Sequence, residues 1–206
     1  MARAGTKQRG QRADVREALA VATVEALRDA GYAGTSAREV ANRAGVSQAS
    51  VFYHYGTIDD LLIAALDRTS ESRMAAYRGA MESVATLGEL FDVAGRVFTQ
   101  DLDEGHLKVL SELIAAASGN AALGARVAER IDPWIELTAS TMRRVLDGTP
   151  LANVVDAHEL ATAIVGLYLG LELLSDLRGD RRIAESLFRS ARTLASSLDV
   201  LLDPRR

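Results

Sequence analysis

Between residues 14 and 30 the apolar positions Val15, Leu19, Ala22 and Leu27 recur at helical spacing, and Gly31 follows as a stop. After Ser36 a second, shorter helix is predicted, with Val40, Ala41 and Ala44 as its inward stripe. Ser36-Ala37-Arg38-Glu39 has the spacing of a capping box, in which each side chain satisfies an orphan amide of the other's turn. Gly45 supplies a left-handed residue to end that helix, and Ser47 is placed to cap a third, Gln48 to Tyr55. A fourth begins at Thr57, with Asp59 and Asp60 near its positive end and Leu61, Leu62, Ala65 and Leu66 as its stripe, and runs to about Ala80.

Further helices are predicted near 87–101, 107–118, 121–131, 133–147, 156–178 and 181–202. Asp132-Pro133 reads either as an N-cap followed by proline at the first helical position or as a kink in one longer helix. The stretch Asp101 to His106 holds ligand-type side chains without calcium-loop spacing and reads as a solvated inter-helix loop. No run alternates apolar and polar residues with β-branched enrichment, so the chain is all-α, with about nine or ten helices.

Composition narrows the chemistry. With no cysteine among 206 residues, disulfide frameworks, thiolate metal sites and cysteine nucleophiles are excluded. His54, His106 and His158 are the three histidines, and His158-Glu159 lacks the second histidine of a zinc-protease helix. No nucleophile–base pair or phosphate-cradling loop stands out, so neither an enzyme nor a cofactor is expected. The longest uncharged apolar run, Leu160 to Leu171, is shorter than the ~20 residues that span a bilayer. The polar N-terminus lacks an apolar leader core. A cytoplasmic protein without a membrane partner is expected.

The net charge of −4 is unevenly spread. Residues 1–58 carry eight Lys/Arg against five Asp/Glu, and the remainder 16 against 23. That asymmetry suits a small anion-binding module on an acidic body, with boundaries at 1–57 and 58–206.

The link Gly45-Val46-Ser47 between two short helices is of the helix-turn-helix type, in which the second helix enters a major groove of double-stranded DNA. Gln48 can pair bidentately with adenine, Ser50 can donate or accept, and Ala49 and Phe52 can touch thymine methyls. Tyr53 and His54 carry tips suited to phosphate oxygens, while Val51 and Tyr55 fall on the opposite, inward face. Lys7, Arg9 and Arg12 form a basic arm that either touches phosphates or is a solvated tail.

The stretch "GYAGTSAREVANRAGVSQASVFYHYGTIDDLL" resembles the N-terminal domain of TetR-family transcriptional regulators, in register over about residues 12–66. The resemblance implies that Arg38, Gln48, Ala49, Ser50 and Phe52 approach bases and that Thr35, Ser47, Tyr53 and His54 approach phosphates. It departs at Ile58, where members usually place a phosphate-binding lysine. The resulting expectation is a ligand-responsive regulator, a repressor released from a pseudo-palindromic operator by an unidentified small molecule. A helical protein-binding adaptor with a helix-turn-helix that does not bind DNA is the alternative.

In the remaining chain Phe91, Phe98, Trp134, Met142 and Tyr168 are candidate ligand contacts, with Glu112 and Glu172 as acids inside apolar stretches. Gly166 and Gly170, four apart, would let another helix approach closely. Ile183, Leu187, Ala191, Leu194, Leu198 and Leu201 make a long apolar stripe. Two such helices from each of two subunits would form a four-helix homodimer interface, as the resemblance also implies.

Overall fold

A computed structural model of the chain describes residues 2–104 and 106–202, and the side chains of 12–103 and 107–200 among them. The regular structure of these residues is helical throughout: α1 (Ala2–Gly34), α2 (Ala37–Arg43), α3 (Gln48–Tyr55), α4 (Ile58–Glu82), α5 (Leu87–Glu104), α6 (His106–Ala117), α7 (Ala121–Leu146), α8 (Ala157–Arg178) and α9 (Arg182–Leu202). A 3-10 turn, Pro150–Asn153, precedes α8. Arginine, leucine, alanine and glutamate favour this state, and packing of each apolar stripe stabilises it.

Three boundaries differ from expectation, and the alternative left open at Pro133 is decided. Helix α1 begins at Ala2, so the basic arm continues the helix instead of trailing from it; the side chains of Lys7 and Arg9 lie outside the described residues. Gly31 is a kink, not a stop: at φ 66° and ψ −176° it breaks the ladder, and the chain resumes one further turn to Gly34. The Tyr32 amide freed by that break donates to Glu112 Oε2 at 2.8 Å. Helix α7 runs through Pro133 as one element. Residues 101–104 belong to α5, and Asp101 is fully buried, which corrects the reading of a solvated loop.

The chain folds into two compact units, each made of two stretches of sequence. The first comprises Met1–Glu71 and Lys108–Ala128, the second Ser72–Leu107 and Glu129–Arg206. In the first, Leu19, Ala22 and Ala26 of α1 pack with Ala37, Val40 and Ala41 of α2, Val51 of α3 and Leu61 of α4. Ile58 lies against this cluster, so the side chain found in place of a lysine is used for packing. Asp60 pairs with Arg126 at 2.8 Å and Asn120 donates to Asp59 at 3.2 Å, which fastens the start of α4 to α7 and the loop before it.

In the second unit, Val84, Leu87, Leu90 and Val93 bury against Met142, Val145, Leu146 and Ala195. Helices α5 and α9 approach closely because Gly95 has no side chain; a Cβ there would stand 3.3 Å from Phe188 Cβ. Asp199 of α9 accepts from the Leu87 and Gly88 amides, both at 2.9 Å, and so satisfies the N-terminus of α5. Asp156 caps α8 through the His158 and Glu159 amides, and Gly179 closes it in the left-handed conformation.

Gly31 is a sensitive position. An alanine there would be forced to positive φ with its Cβ 2.9 Å from Glu112 Oε2. Gly31→Ala should lower the stability of the chain by about 1–3 kcal/mol in urea denaturation, a range set by strained positive-φ residues. Gly31→Asn should lower it by less, since asparagine tolerates that backbone better than alanine.

Candidate nucleic-acid interface

The reversal between α2 and α3 is built from backbone hydrogen bonds. The Val46 amide donates to Ala41 O at 3.0 Å and the Gly45 amide to Asn42 O at 3.2 Å, the paired bonds of a Schellman motif. Gly45 holds φ 66°, a conformation that costs glycine little. At the other end of α2, Ser36 Oγ accepts from the Glu39 amide at 3.2 Å. The reciprocal half of the predicted capping box is absent, because the Glu39 carboxylate instead takes Arg43 Nε at 2.7 Å. Arg43 also reaches Asp29 at 2.6 Å and so ties α2 to α1.

Helix α3 has one fully buried side chain, Val51, at 0 % exposure. Tyr55, one turn on, is half-buried against the same core. Its hydroxyl donates to Arg16 O at 2.7 Å, and the Arg16 guanidinium lies 4.6 Å from the Tyr55 ring centroid while donating to His54 O at 3.2 Å. This reciprocal clamp fixes the C-terminal end of α3 on α1, and a cation there also complements the negative end of the helix. Burial pushes the Tyr55 phenol above its ordinary pKa, with Arg16 pulling the other way, so the hydroxyl remains a donor. Residues 16 and 55 are too far apart in sequence for any pattern to have paired them.

With Val51 and Tyr55 turned inward, the opposite side of α3 faces solvent. Gln48 and Ala49 are exposed, as are Phe52 and Tyr53, the latter at 65 %. His54 is half-buried and meets Tyr53 edge-on at 5.0 Å between ring centroids. Arg12 of α1 lies 5.5 Å from the Tyr53 ring, and Arg38 of α2 is exposed nearby in sequence. Thus Gln48, Ala49, Phe52 and Tyr53 share one exposed face, with Ser50 at its edge.

Two predicted contacts are placed differently. Ser47 occupies the N-cap position, but its hydroxyl pairs with Ser50 Oγ at 2.9 Å and caps no amide. Thr35 is buried; its hydroxyl donates to Gly31 O at 2.7 Å and its amide to Tyr32 O at 3.0 Å. Both Thr35 donors are therefore spent beneath the α1 kink, leaving none for a phosphate.

Residues 19–65 match the family model described as bacterial regulatory proteins, tetR family. The N-terminal domain is a TetR-family domain, and the chain has that family's fold. A TetR-family member from Streptomyces coelicolor A3 is 28 % identical, with TM-score 0.62, covering 86 % of this chain and 97 % of that one. A structure of the multidrug binding protein EbrR complexed with imidazole is 26 % identical, with TM-score 0.60, covering 85 % and 93 %. A TetR-family transcriptional regulator from Mesorhizobium loti has the same fold at 23 % identity and TM-score 0.69, covering 90 % and 95 %. Among curated proteins no relative matches by sequence.

The residues nominated as ligand contacts of the TetR-family fold do not form one set. Glu112 belongs to the first unit, where the Tyr32 amide is its partner, and the other six, Glu172 included, belong to the second. Phe98 and Met142 are buried core side chains. Phe91 lines a cavity of about 660 Å³ between α5 and α9, together with Gly95 and Phe188. Tyr168 donates to Asp101 at 2.6 Å, and Trp134 meets Tyr77 at 5.6 Å between ring centroids. Arg73, Tyr77 and Asp101, which complete this cluster, were missed. Asp101 could have been found, since Leu90, Val93, Val97 and Asp101 recur at three- and four-residue intervals, the half-buried Val97 among three buried side chains.

The nominated dimer residues lie on uncovered surface. A Cβ at Gly166 or Gly170 would meet nothing within 4 Å. Ile183, Leu187, Leu194 and Leu198 of α9 are exposed, and so are Leu167, Leu173, Leu174 and Leu177 of α8. Ala191 is half-buried, and the Leu201 side chain lies outside the described residues. By length and composition only, α8 would be long and apolar enough to cross a membrane, and the run Leu160 to Leu171 within it ends at the buried Glu172.

Removal of the Tyr55 hydroxyl tests the clamp. Tyr55→Phe should cost about 0.5–1.5 kcal/mol in chemical denaturation, the net value of one hydrogen bond, with helix content by circular dichroism unchanged.

Proposed function

We propose that this protein is a homodimeric, ligand-responsive, sequence-specific DNA-binding transcriptional regulator, a repressor that a small molecule releases from a pseudo-palindromic operator. The observation that carries this reading is the solvent-facing side of α3, where Gln48, Ala49, Phe52 and Tyr53 stand free above a helix anchored by Val51 and Tyr55. Those side chains match what a major groove asks for: a bidentate amide for adenine, a small residue for close approach, an apolar contact for a thymine methyl and a hydroxyl for phosphate. Arg12 and Arg38 add positive charge beside them. Lys7 and Arg9 continue that basic segment in sequence.

Dimerisation supplies the second half-site. The exposed leucines and isoleucine of α8 and α9 are an apolar surface that a second copy would cover, and Gly166 and Gly170 would admit its helix closely. Two recognition helices would then address half-sites about 34 Å apart. An operator partner also supports a cytoplasmic site of action. The likeness to a multidrug binding protein supports a response to a small molecule. Helix α4 contributes residues to both units, so an effector that shifts it alters the presentation of α3. A coupling of about 1–3 kcal/mol would change operator affinity roughly 5- to 150-fold.

Fluorescence anisotropy with genomic DNA fragments tests the reading. One fragment should bind well above the rest, and Gln48→Ala should lose about 1–3 kcal/mol there through one base position. Tyr53→Phe should weaken all fragments alike, as a phosphate contact does. Equal affinity for every fragment at several salt concentrations would overturn specific regulation. For the dimer, Leu194→Glu should convert the protein to monomers in light scattering and abolish operator binding with the helices intact.

A further inference from the structure

Two carboxylates and one cation are buried together in the second unit. Arg73 of α4 donates from Nε to Asp101 Oδ1 at 2.8 Å and from Nη2 to Oδ2. The Tyr77 hydroxyl donates to Oδ1 and the Tyr168 hydroxyl to Oδ2 at 2.6 Å. Four donors thus satisfy one carboxylate that is 0 % exposed, and the Arg73 guanidinium lies 5.1 Å from the Trp134 ring centroid. Arg73 and Asp101 neutralise each other, walled by aromatic rings.

Glu172 is the remainder of this arrangement. It sits one turn beyond Tyr168 on α8, is 4 % exposed, and has no hydrogen-bond donor among the described residues. The charged groups acting on it are Asp176 of its own helix, Arg73 of α4 and Asp101 of α5, two negative and one positive. A buried carboxylate without a donor is strongly disfavoured, so such a group stays protonated or awaits a partner. Burial, then Asp176, with Arg73 opposing, pushes its carboxyl up to about 7.

We propose that this cluster is the effector site and that the effector is an organic cation, an amine or amidine on a flat apolar body, whose N–H groups donate to Glu172. The inference rests on the regulator reading above. Arg73 displays the same mode of recognition within the chain: a planar cation with its edge on a carboxylate and an aromatic ring 5.1 Å away. Glu172 is the second carboxylate of the cluster and the one that lacks its cation. An anionic effector would add to a negative excess.

Three isosteric probes test this: benzamidine, benzamide and benzoate, titrated calorimetrically into the full-length protein without DNA. Benzamidine should bind about tenfold tighter than benzamide, the order of one charge-assisted hydrogen bond, and benzoate more weakly still. Near neutral pH its binding enthalpy should vary with the ionisation enthalpy of the buffer, because Glu172 releases a proton as the cation enters. Affinity should rise as pH increases through about 7. Glu172→Gln should erase both the preference and the proton release, and Glu172→Asp should restore part of each. Equal binding of the three probes, no binding of any, or an unchanged benzamidine affinity in Glu172→Gln would overturn the proposal. Discrimination among probes by the unmodified chain needs no variant to fold. Because DNA is absent, failure here is separable from failure of operator binding, which anisotropy reads independently.

Discussion

Burial of Val51 is the constraint from which the recognition surface follows. An eight-residue helix cannot hide all its sides, and a single fully buried residue decides which side is hidden. Tyr55, four residues on, extends that contact and is locked by Arg16 through a hydroxyl, a ring face and a carbonyl. Gln48, Ala49, Phe52 and Tyr53 are then exposed by rotation alone. The Schellman turn at Ala41 to Val46 sets where α3 starts, and left-handed Gly45 makes that turn inexpensive.

The first unit is held by polar contacts as well as by its core. Glu112 of α6 takes the amide that the Gly31 kink exposes, and Asp60 and Asp59 of α4 engage Arg126 of α7 and Asn120 in the loop before it. Segment 108–128 is therefore part of the same compact unit as the helix-turn-helix. In a regulator this matters, because α4, α6 and α7 each run out of that unit into chain belonging to the other. Ile58 fits the same logic: where the family usually carries a cation for phosphate, this chain adds apolar packing at the start of α4.

The second unit combines two kinds of unusual surface. Its interior holds the Asp101 carboxylate, satisfied by four donors, beside an acid, Glu172, that has none among the described residues, so the electrostatics are closed at one point and open at the next. Its exterior leaves leucines of α8 and α9 uncovered on helices whose other faces are buried through Ala161, Leu171, Ala184 and Ala195. Apolar side chains concentrated in this way, in contrast to single scattered ones, are what the proposed dimer would cover.

Much of the helix-turn-helix was legible from residues 36–56, because its determinants are local. Helical spacing, a glycine between two short helices and serines at helix starts act within a few residues, and the face of α3 follows from a period of 3.6. The helical class of the whole chain was legible for the same reason. What lay beyond reach depended on partners distant in sequence: the Arg16–Tyr55 clamp, Glu112 on Tyr32, and Arg73 with Tyr77, Asp101 and Tyr168. Asp101 looked solvated because carboxylates usually are, whereas Thr35 was a phosphate contact only by the family resemblance, and its hydroxyl and amide bond locally to Gly31 and Tyr32. Asp101 was reversed by neighbours that only the folded chain supplies, since a polar group's exposure is decided by whether a complementary group is brought within about 3 Å of it.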